Sequence, residues 1–496
     1  MKSNYFVLGL TAMSLLATAC GTADSRSESD FNYAVPDSYN EIGNTQPTGQ
    51  GDKFEGYTDN PFVKSAQQPV STFSVDADGA SYSIVRRYIE NGFGVSPSSV
   101  RIEEFLNYFT FNYTSPSNGE NVAINAEVGD CPWNTEHKLL RLGIKGKELT
   151  ANEMPRANFV FLIDVSGSMT SSDKLFLLKS GLKQLLYQLN PDDRISIVTY
   201  SGKVEKLLES TPVKEAHKIE KVIDELSASG STAGGEALQI AYEEALTNYD
   251  PKCNNRVIMG TDGDFNVGVT NTEELVEMVE SYASKGIYMT CLGFGYGNLN
   301  DAMMEKISNS GNGTYHYIAS EDEMTKVFVH ERSHFVSVAN DAKCQVTFDE
   351  NFVSEYRLIG YENRIMEAKD FEDDKKDAGE IGAGQTITAL YEIVPNSSAN
   401  LSADSPFITF DFRYKKTLQS ESRPLQLKLT ADQMFNKNIR SDEFYFAAGI
   451  AAYGMLLRES PYKGNATTEM AKELVKQGLS YDPYGYRAEL LSLINK

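Results

Sequence analysis

Apolar and polar positions change rhythm several times along this chain, and each rhythm predicts a different kind of structure. Phe6 to Ala17 is a short apolar run behind Lys2, and it ends in Ala17-Thr18-Ala19-Cys20. It is too short to span a bilayer and reads as a secretory signal. Gly21 to about Pro61 is polar, with Gly, Ser, Asp, Asn and Pro and few aliphatics. Such a stretch buries too little surface to offset its ordering entropy. A flexible tether is expected, about 35 Å in root-mean-square span.

Folded sequence resumes near Val63. Helices are predicted from Tyr82 to Ile89 and from Ser98 or Ser99 to Tyr108, where apolar residues recur at helical spacing. Asp76-x-Asp78-Gly79 reads as a turn and helix N-cap, because the glutamate that would close a calcium loop is missing. Val122 to Val128 and Leu139 to Ile144 alternate like strands, and Trp133 between them reads as a packing anchor.

From 158 to 335, strand and helix alternate. Phe159-Val160-Phe161-Leu162-Ile163 is an unbroken apolar run, as expected of a strand buried on both faces of a parallel sheet. Leu175, Leu178, Leu182, Leu185, Leu186 and Leu189 then recur at helical spacing, and further strands and helices follow as far as Ile318. This alternation predicts an α/β fold, a Rossmann-like, doubly wound and mainly parallel sheet. Beyond Val336 the pattern is of strands, at 344–348, 356–359, 386–394, 408–414 and 425–429, which is β-sandwich-like. The apolar run Phe444 to Leu457 is too short for a membrane span and reads as a buried helix, with amphipathic helices at 467–478 and 486–494 to enclose it.

These changes divide the chain into a signal peptide (1–19), a tether (20–62), an N-terminal region (63–155) and an α/β domain (156–335). A β-rich domain (336–430), with the strands at 122–144 as candidate members, and a helical region (431–496) complete it. A net charge of −23 argues against nucleic acid as a partner, since phosphate binding needs clustered Lys and Arg. Of the cysteines, Cys291 lies in an apolar run and reads as a small buried hydrophobe. Export permits a disulfide among Cys131, Cys253 and Cys344, with the pairing left open.

The chemistry gathers at three loops next to predicted strand ends and helix starts: Asp164-x-Ser166-x-Ser168, Gly230-Ser231-Thr232 and Thr261-Asp262-Gly263. Their side chains offer only oxygen, which suits a hard cation such as Mg²⁺. In order and context they resemble the von Willebrand factor A (VWA) domain and its metal-ion-dependent adhesion site. The resemblance implies that Ser166 and Ser168 give hydroxyls to Mg²⁺ or Mn²⁺, and that Thr232 binds directly or through water. Asp164 and Asp262 would hold coordinating waters or bind directly. A site built mostly on neutral hydroxyls leaves the cation much of its charge and a position for a partner's carboxylate. No positioned nucleophile or base is evident beside it, so binding rather than catalysis is expected; Asp264 reads as solvated or as holding a water.

The resemblance extends to bacterial YfbK-type A-domain lipoproteins. It is carried by Ser71-Thr72-Phe73-Ser74-Val75-Asp76, Cys131-Pro132-Trp133-Asn134, Leu358-Ile359-Gly360-Tyr361-Glu362-Asn363-Arg364 and Asp482-Pro483-Tyr484-Gly485-Tyr486-Arg487. Ala17-Thr18-Ala19-Cys20 resembles a lipobox, which implies lipidation of Cys20. Gly21 is not the aspartate that retains lipoproteins in the inner membrane, so an outer-membrane location is expected. One string competes. His330-Glu331-Arg332-Ser333-His334 matches the H-E-x-x-H pattern of zinc peptidases, on a helix expected from Asp322 onward. Against it, the last helix of the α/β domain should pack on the sheet, and a third ligand would have to be a carboxylate such as Glu350 or Glu355, both in the β-rich region. The expected function is therefore an envelope lipoprotein that binds a protein partner through a cation. A scaffold with a merely fold-stabilising cation, or a zinc peptidase, are the alternatives.

Overall fold

The computed structural model describes residues 51–75, 77–231, 235–263, 272–396, 406–435 and 440–496. Its N-terminal part runs β1 (Val63–Lys64), β2 (Val70–Ser74), α1 (Ala80–Glu90), α2 (Ile102–Asn107), β3 (Val122–Asp130) and β4 (Lys138–Gly146). Residues 51–62, expected to belong to the tether, are fixed to the body. Asp52 Oδ1 accepts from the N–H groups of Gly297 (2.6 Å) and Leu299 (2.9 Å), and Asn60 Nδ2 donates to the carbonyls of Leu358 and Gly360. These are side-chain to backbone bonds, which leave no apolar periodicity to read. Gly79 is the N-cap of α1 and gives no side-chain cap; Glu104 Oε2 accepts from Ser81 N–H instead (2.8 Å). Asp76 lies outside the described residues.

The α/β domain begins with β5 (Ala157–Asp164), α3 (Leu175–Gln188), β6 (Arg194–Tyr200), β7 (Val204–Pro212) and α4 (Ala216–Glu225). It continues with α5 (Gly235–Thr247), β8 (Asn254–Thr261), α6 (Thr272–Ala283), β9 (Ile287–Phe294), α7 (Asp301–Ser310), β10 (Tyr315–Ile318) and α8 (Glu321–Thr325). The sheet order is β10-β9-β8-β5-β6-β7, parallel except for the edge hairpin of β6 with β7. Every residue of the central strand β5 is buried. Successive side chains of a strand point to opposite faces. Val160 and Leu162 accordingly share one core with Leu238 and Ala241 of α5, while Phe161 and Ile163 share the other with Leu178, Leu182 and Leu185 of α3. Burying five large apolar side chains on this one strand contributes roughly 10 kcal/mol before entropy. That is why the run reads so plainly in the sequence.

After it come β11 (Ser337–Phe348), β12 (Val353–Ile359), β13 (Ile365–Met366), β14 (Gly379–Gly382), β15 (Thr386–Pro395), β16 (Pro406–Lys415) and β17 (Ser422–Thr430). They form two antiparallel sheets with strands from the N-terminal part, in the orders β1-β12-β15-β4-β3 and β13-β2-β11-β16-β17. Phe73, Cys344, Phe348, Tyr356, Tyr391 and Phe410 share the core of this sandwich. The α/β domain is thus inserted between strands of a single sandwich.

The chain closes with α9 (Ala431–Phe435), α10 (Asp442–Leu457), α11 (Thr468–Gln477) and α12 (Tyr486–Ile494). The apolar α10 is sheathed by α2, α11 and α12, and no described helix is long and apolar enough to cross a membrane. Trp133 packs in the same cluster with its Nε1 on Glu392 (3.1 Å). Cys131, Cys253, Cys291 and Cys344 are all free thiols, the first and the last two buried.

Candidate functional site

β5 and β8 are neighbours in space, yet the chain leaves β5 toward β6 on one side and returns to β8 on the other. This is a topological switch point, where the carboxyl ends of strands open a crevice. Ile163 pairs with Gly260 across it, so Asp164 and Asp262 emerge side by side from the two strands. Asp164 is fully buried, and both its oxygens are engaged: Oδ1 by Ser166 N–H (2.8 Å) and Oδ2 by Thr261 Oγ1 (3.1 Å). Ser166 Oγ lies 2.9 Å from Ser168 Oγ, and Ser168 in turn hydrogen-bonds the fully buried Asp262. Ser168 itself is exposed, so the cluster opens to solvent on that side.

Backbone contacts hold the loops together. Gly167 N–H donates to Gly230 O (3.0 Å) and Ser229 N–H to Val165 O (2.7 Å), which sets the 229–231 turn against the D-x-S-x-S loop. Thr232, the remaining predicted ligand, lies outside the described residues, as do Asp264 and the lipidation candidate Cys20. At Gly263 the chain turns with φ +92°, and a Cβ there would sit 2.4 Å from Asn300 N. Only glycine fits both demands.

Sequence reading missed Lys174. It stands just before α3, and its Nζ donates to Asp262 Oδ2 at 2.8 Å. Its stem crosses Gly295 (φ +72°), where a Cβ would fall 2.1 Å from the lysine Cε. A lone lysine ahead of an amphipathic helix carries no signal of such a role. The two carboxyls consequently differ. Burial, together with the nearby Asp262 and against the Ser166 and Thr261 hydrogen bonds, pushes Asp164 up to about 6. Burial also acts on Asp262, but Lys174, Asn298 and Ser168 outweigh it and hold that carboxyl below its ordinary range.

The donor set fits a hard divalent cation. Two carboxylates and two hydroxyls converge with no nitrogen or sulfur ligand among them, and the buried Asp164 is short of positive charge. Among the described residues no three His, Cys, Asp or Glu side chains are grouped as a metal site.

The H-E-x-x-H string does not converge. The α-helix expected from Asp322 ends at Thr325; a π-turn follows at Lys326–His330 and a 3₁₀ turn at Arg332–Phe335. Placing residues i and i+4 on one face requires regular α geometry. His330 stacks on Tyr484 (3.9 Å between ring centroids), with Nδ1 2.9 Å from Tyr486 Oη. Glu331 is ion-paired with Lys326, and His334 Nδ1 is 4.0 Å from Glu331 Oε2. Glu355 stands in β12 and Glu350 in the turn before it.

Three family models match parts of the chain. The family described as von Willebrand factor type A domain matches residues 158–330, and "Uncharacterized protein YfbK, C-terminal" matches 333–496. A third family, described as von Willebrand factor, matches residues 48–141. The Escherichia coli (strain K12) "Uncharacterized protein YfbK" is 37% identical over 465 residues, covering 89% of this chain and 80% of that protein. Human inter-alpha-trypsin inhibitor heavy chain H3 is 31% identical over 166 residues, 32% of this chain and 18% of the human one. Among solved structures, a von Willebrand factor type A protein from Catenulispora acidiphila aligns with 77% of this chain and 91% of its own, at 15% identity and a TM-score of 0.44. The chain belongs to the YfbK family of von Willebrand factor type A proteins.

Proposed function

We propose that this protein is an envelope lipoprotein that holds Mg²⁺ or Mn²⁺ at the switch-point cluster and through it binds a carboxylate of a protein partner. VWA domains often mediate protein–protein interaction in this way. The observation that carries the reading is the pairing of two buried carboxylates with hydroxyl donors at one strand-end crevice, open at Ser168. Asp164, Ser166, Ser168 and Asp262 would hold the cation, with Thr232 completing the set. When bound, it supplies a concentrated positive charge for an anionic side chain. The residues of this chain position the crevice, keep water from one side of it and present the exposed Ser168 edge to a partner.

Pull-down from envelope extract with and without EDTA, using wild type and Asp164→Ala, tests this. Capture that needs the cation and is lost in the variant is expected. Capture that survives both changes leaves only a fold-stabilising cation. Lipidation of Cys20 and outer-membrane location are tested by labelled-palmitate incorporation and membrane fractionation of wild type and Cys20→Ala. An unlabelled, soluble wild type would refute the anchor.

A further inference from the structure

We infer that Lys174 sets the charge of the cation site: it stays on Asp262 in the loaded state and tips the site from tight cation retention toward capture of an anionic ligand. The inference rests on the cation reading above and deepens it. Lys174 is built in rather than attached at the surface. It is 9% exposed, its backbone N–H donates to Ser171 O, and its stem lies on a ledge that a side chain at Gly295 would obstruct. The nearest alternative carboxylate along the chain, Asp173, is already paired with Arg87, so Lys174 has Asp262 as its partner.

The consequence is electrostatic. Asp164 and Asp262 offer two negative charges, and the Lys174 ammonium at 2.8 Å from Asp262 cancels one of them. A divalent cation held by this group keeps a net positive excess. In a buried site such charges are weakly screened, so the ammonium opposes the hold of the two carboxylates on the metal, and the excess of the loaded site attracts an incoming carboxylate. The same lysine thus lowers affinity for the cation and raises affinity for the anion that follows. A structural lysine would stabilise the fold and move neither in opposite directions.

The test uses the whole folded chain and two probes, Mn²⁺ alone and then acetate on the Mn²⁺-loaded protein. Mn²⁺ is read by electron paramagnetic resonance and acetate by relaxation of its methyl protons. Lys174→Met and Lys174→Gln should bind Mn²⁺ about tenfold more tightly and acetate about tenfold more weakly, while Lys174→Arg stays near wild type. Wild type that binds no Mn²⁺ overturns the cation reading and this inference with it. Wild type that binds Mn²⁺, with neutral variants that bind both probes unchanged or lose both together, overturns this inference alone. Should both neutral variants unfold, the wild-type protein still decides. With its lysines ¹³C-dimethylated, the Lys174 signal, assigned by its absence in Lys174→Arg, should be broadened away by Mn²⁺. A sharp signal places Lys174 away from the loaded site and refutes the proposal.

Discussion

The carboxyl edge of the parallel sheet and the last turns of the same domain each carry a short string of side chains whose types suit a metal. At the sheet edge, two strands of fixed register deliver Asp164 and Asp262 to one crevice, and the intervening loops need only close over it. At the domain's end, a helix that widens into a π-turn and then tightens to 3₁₀ sends His330 toward Tyr484 and Tyr486 and leaves Glu331 to Lys326. Spacing in sequence becomes proximity in space only where the backbone keeps the assumed periodicity. Hydrogen-bonded strands keep it better than a helix terminus does.

This contrast can be broken by experiment. The largest effect is expected from Glu331→Ala, which leaves the buried Lys326 without its carboxylate and should cost about 3–5 kcal/mol in urea unfolding. One equivalent of zinc in the wild type, with peptidase activity that Glu331→Ala abolishes, would instead make the string a metal site. Asp164→Ala should weaken Mn²⁺ binding about a hundredfold or more by calorimetry while leaving the fold intact, and Glu331→Gln should leave that affinity unchanged. Equal losses in both would erase the distinction between the regions. Gly263→Ala should cost about 1–3 kcal/mol, since the new Cβ meets the Asn300 backbone at positive φ, and should weaken Mn²⁺ by displacing Asp262.

The smallest effect per step of one pH unit is in pH dependence, and there the two regions have opposite signs. His316 lines a water-sized cavity of about 20 Å³ with Glu331 and His334, and burial lowers its pKa from 6.5 to about 3. Between those values the unfolded chain binds a proton that the folded one does not. Stability therefore falls as pH drops through that window, and His316→Gln should flatten the slope by up to about 1.4 kcal/mol per pH unit. Asp164 works the other way. Raised from 3.8 to about 6, it holds a proton in the folded state that the unfolded chain has released, so metal-free stability falls as pH rises through that window. Asp164→Asn should remove this second slope, and saturating Mn²⁺ should too.

What was legible in the sequence followed from burial and strand periodicity. The run Phe159 to Ile163 identified the central strand, and the oxygen-rich loops after it and after Val257 to Met259 identified the carboxyl edge. What was not legible rests on single polar contacts between distant positions: Lys174 with Asp262, Asp52 with the 297–299 backbone, and Asn60 with the Leu358 and Gly360 carbonyls. Such contacts leave no repeat. The short strand β2 escaped for a related reason, because Val70–Ser74 is mostly small and polar and earns its place by pairing with β11.

The discontinuous sandwich also fixes an order of events during folding. Leu142 of β4 pairs with Ala126 of β3 on one side but with Ala389 of β15 on the other, and Phe73 of β2 pairs with Cys344 of β11, so the β4–β15 and β2–β11 ladders cannot form until the whole inserted domain has been synthesised. As an unfolded loop, that insert would make closure slow, as for any topology dominated by distant contacts. Once folded it does the reverse. Phe159 at its start and Phe335 at its end pack 6.2 Å apart, so the domain presents its two exits side by side and the flanking strands meet as though joined by a short turn. Folding of the inserted domain first would therefore shorten the closure that the outer sandwich needs. Variants that slow its folding, even far from any sandwich residue, should accumulate chains with unpaired β-edges.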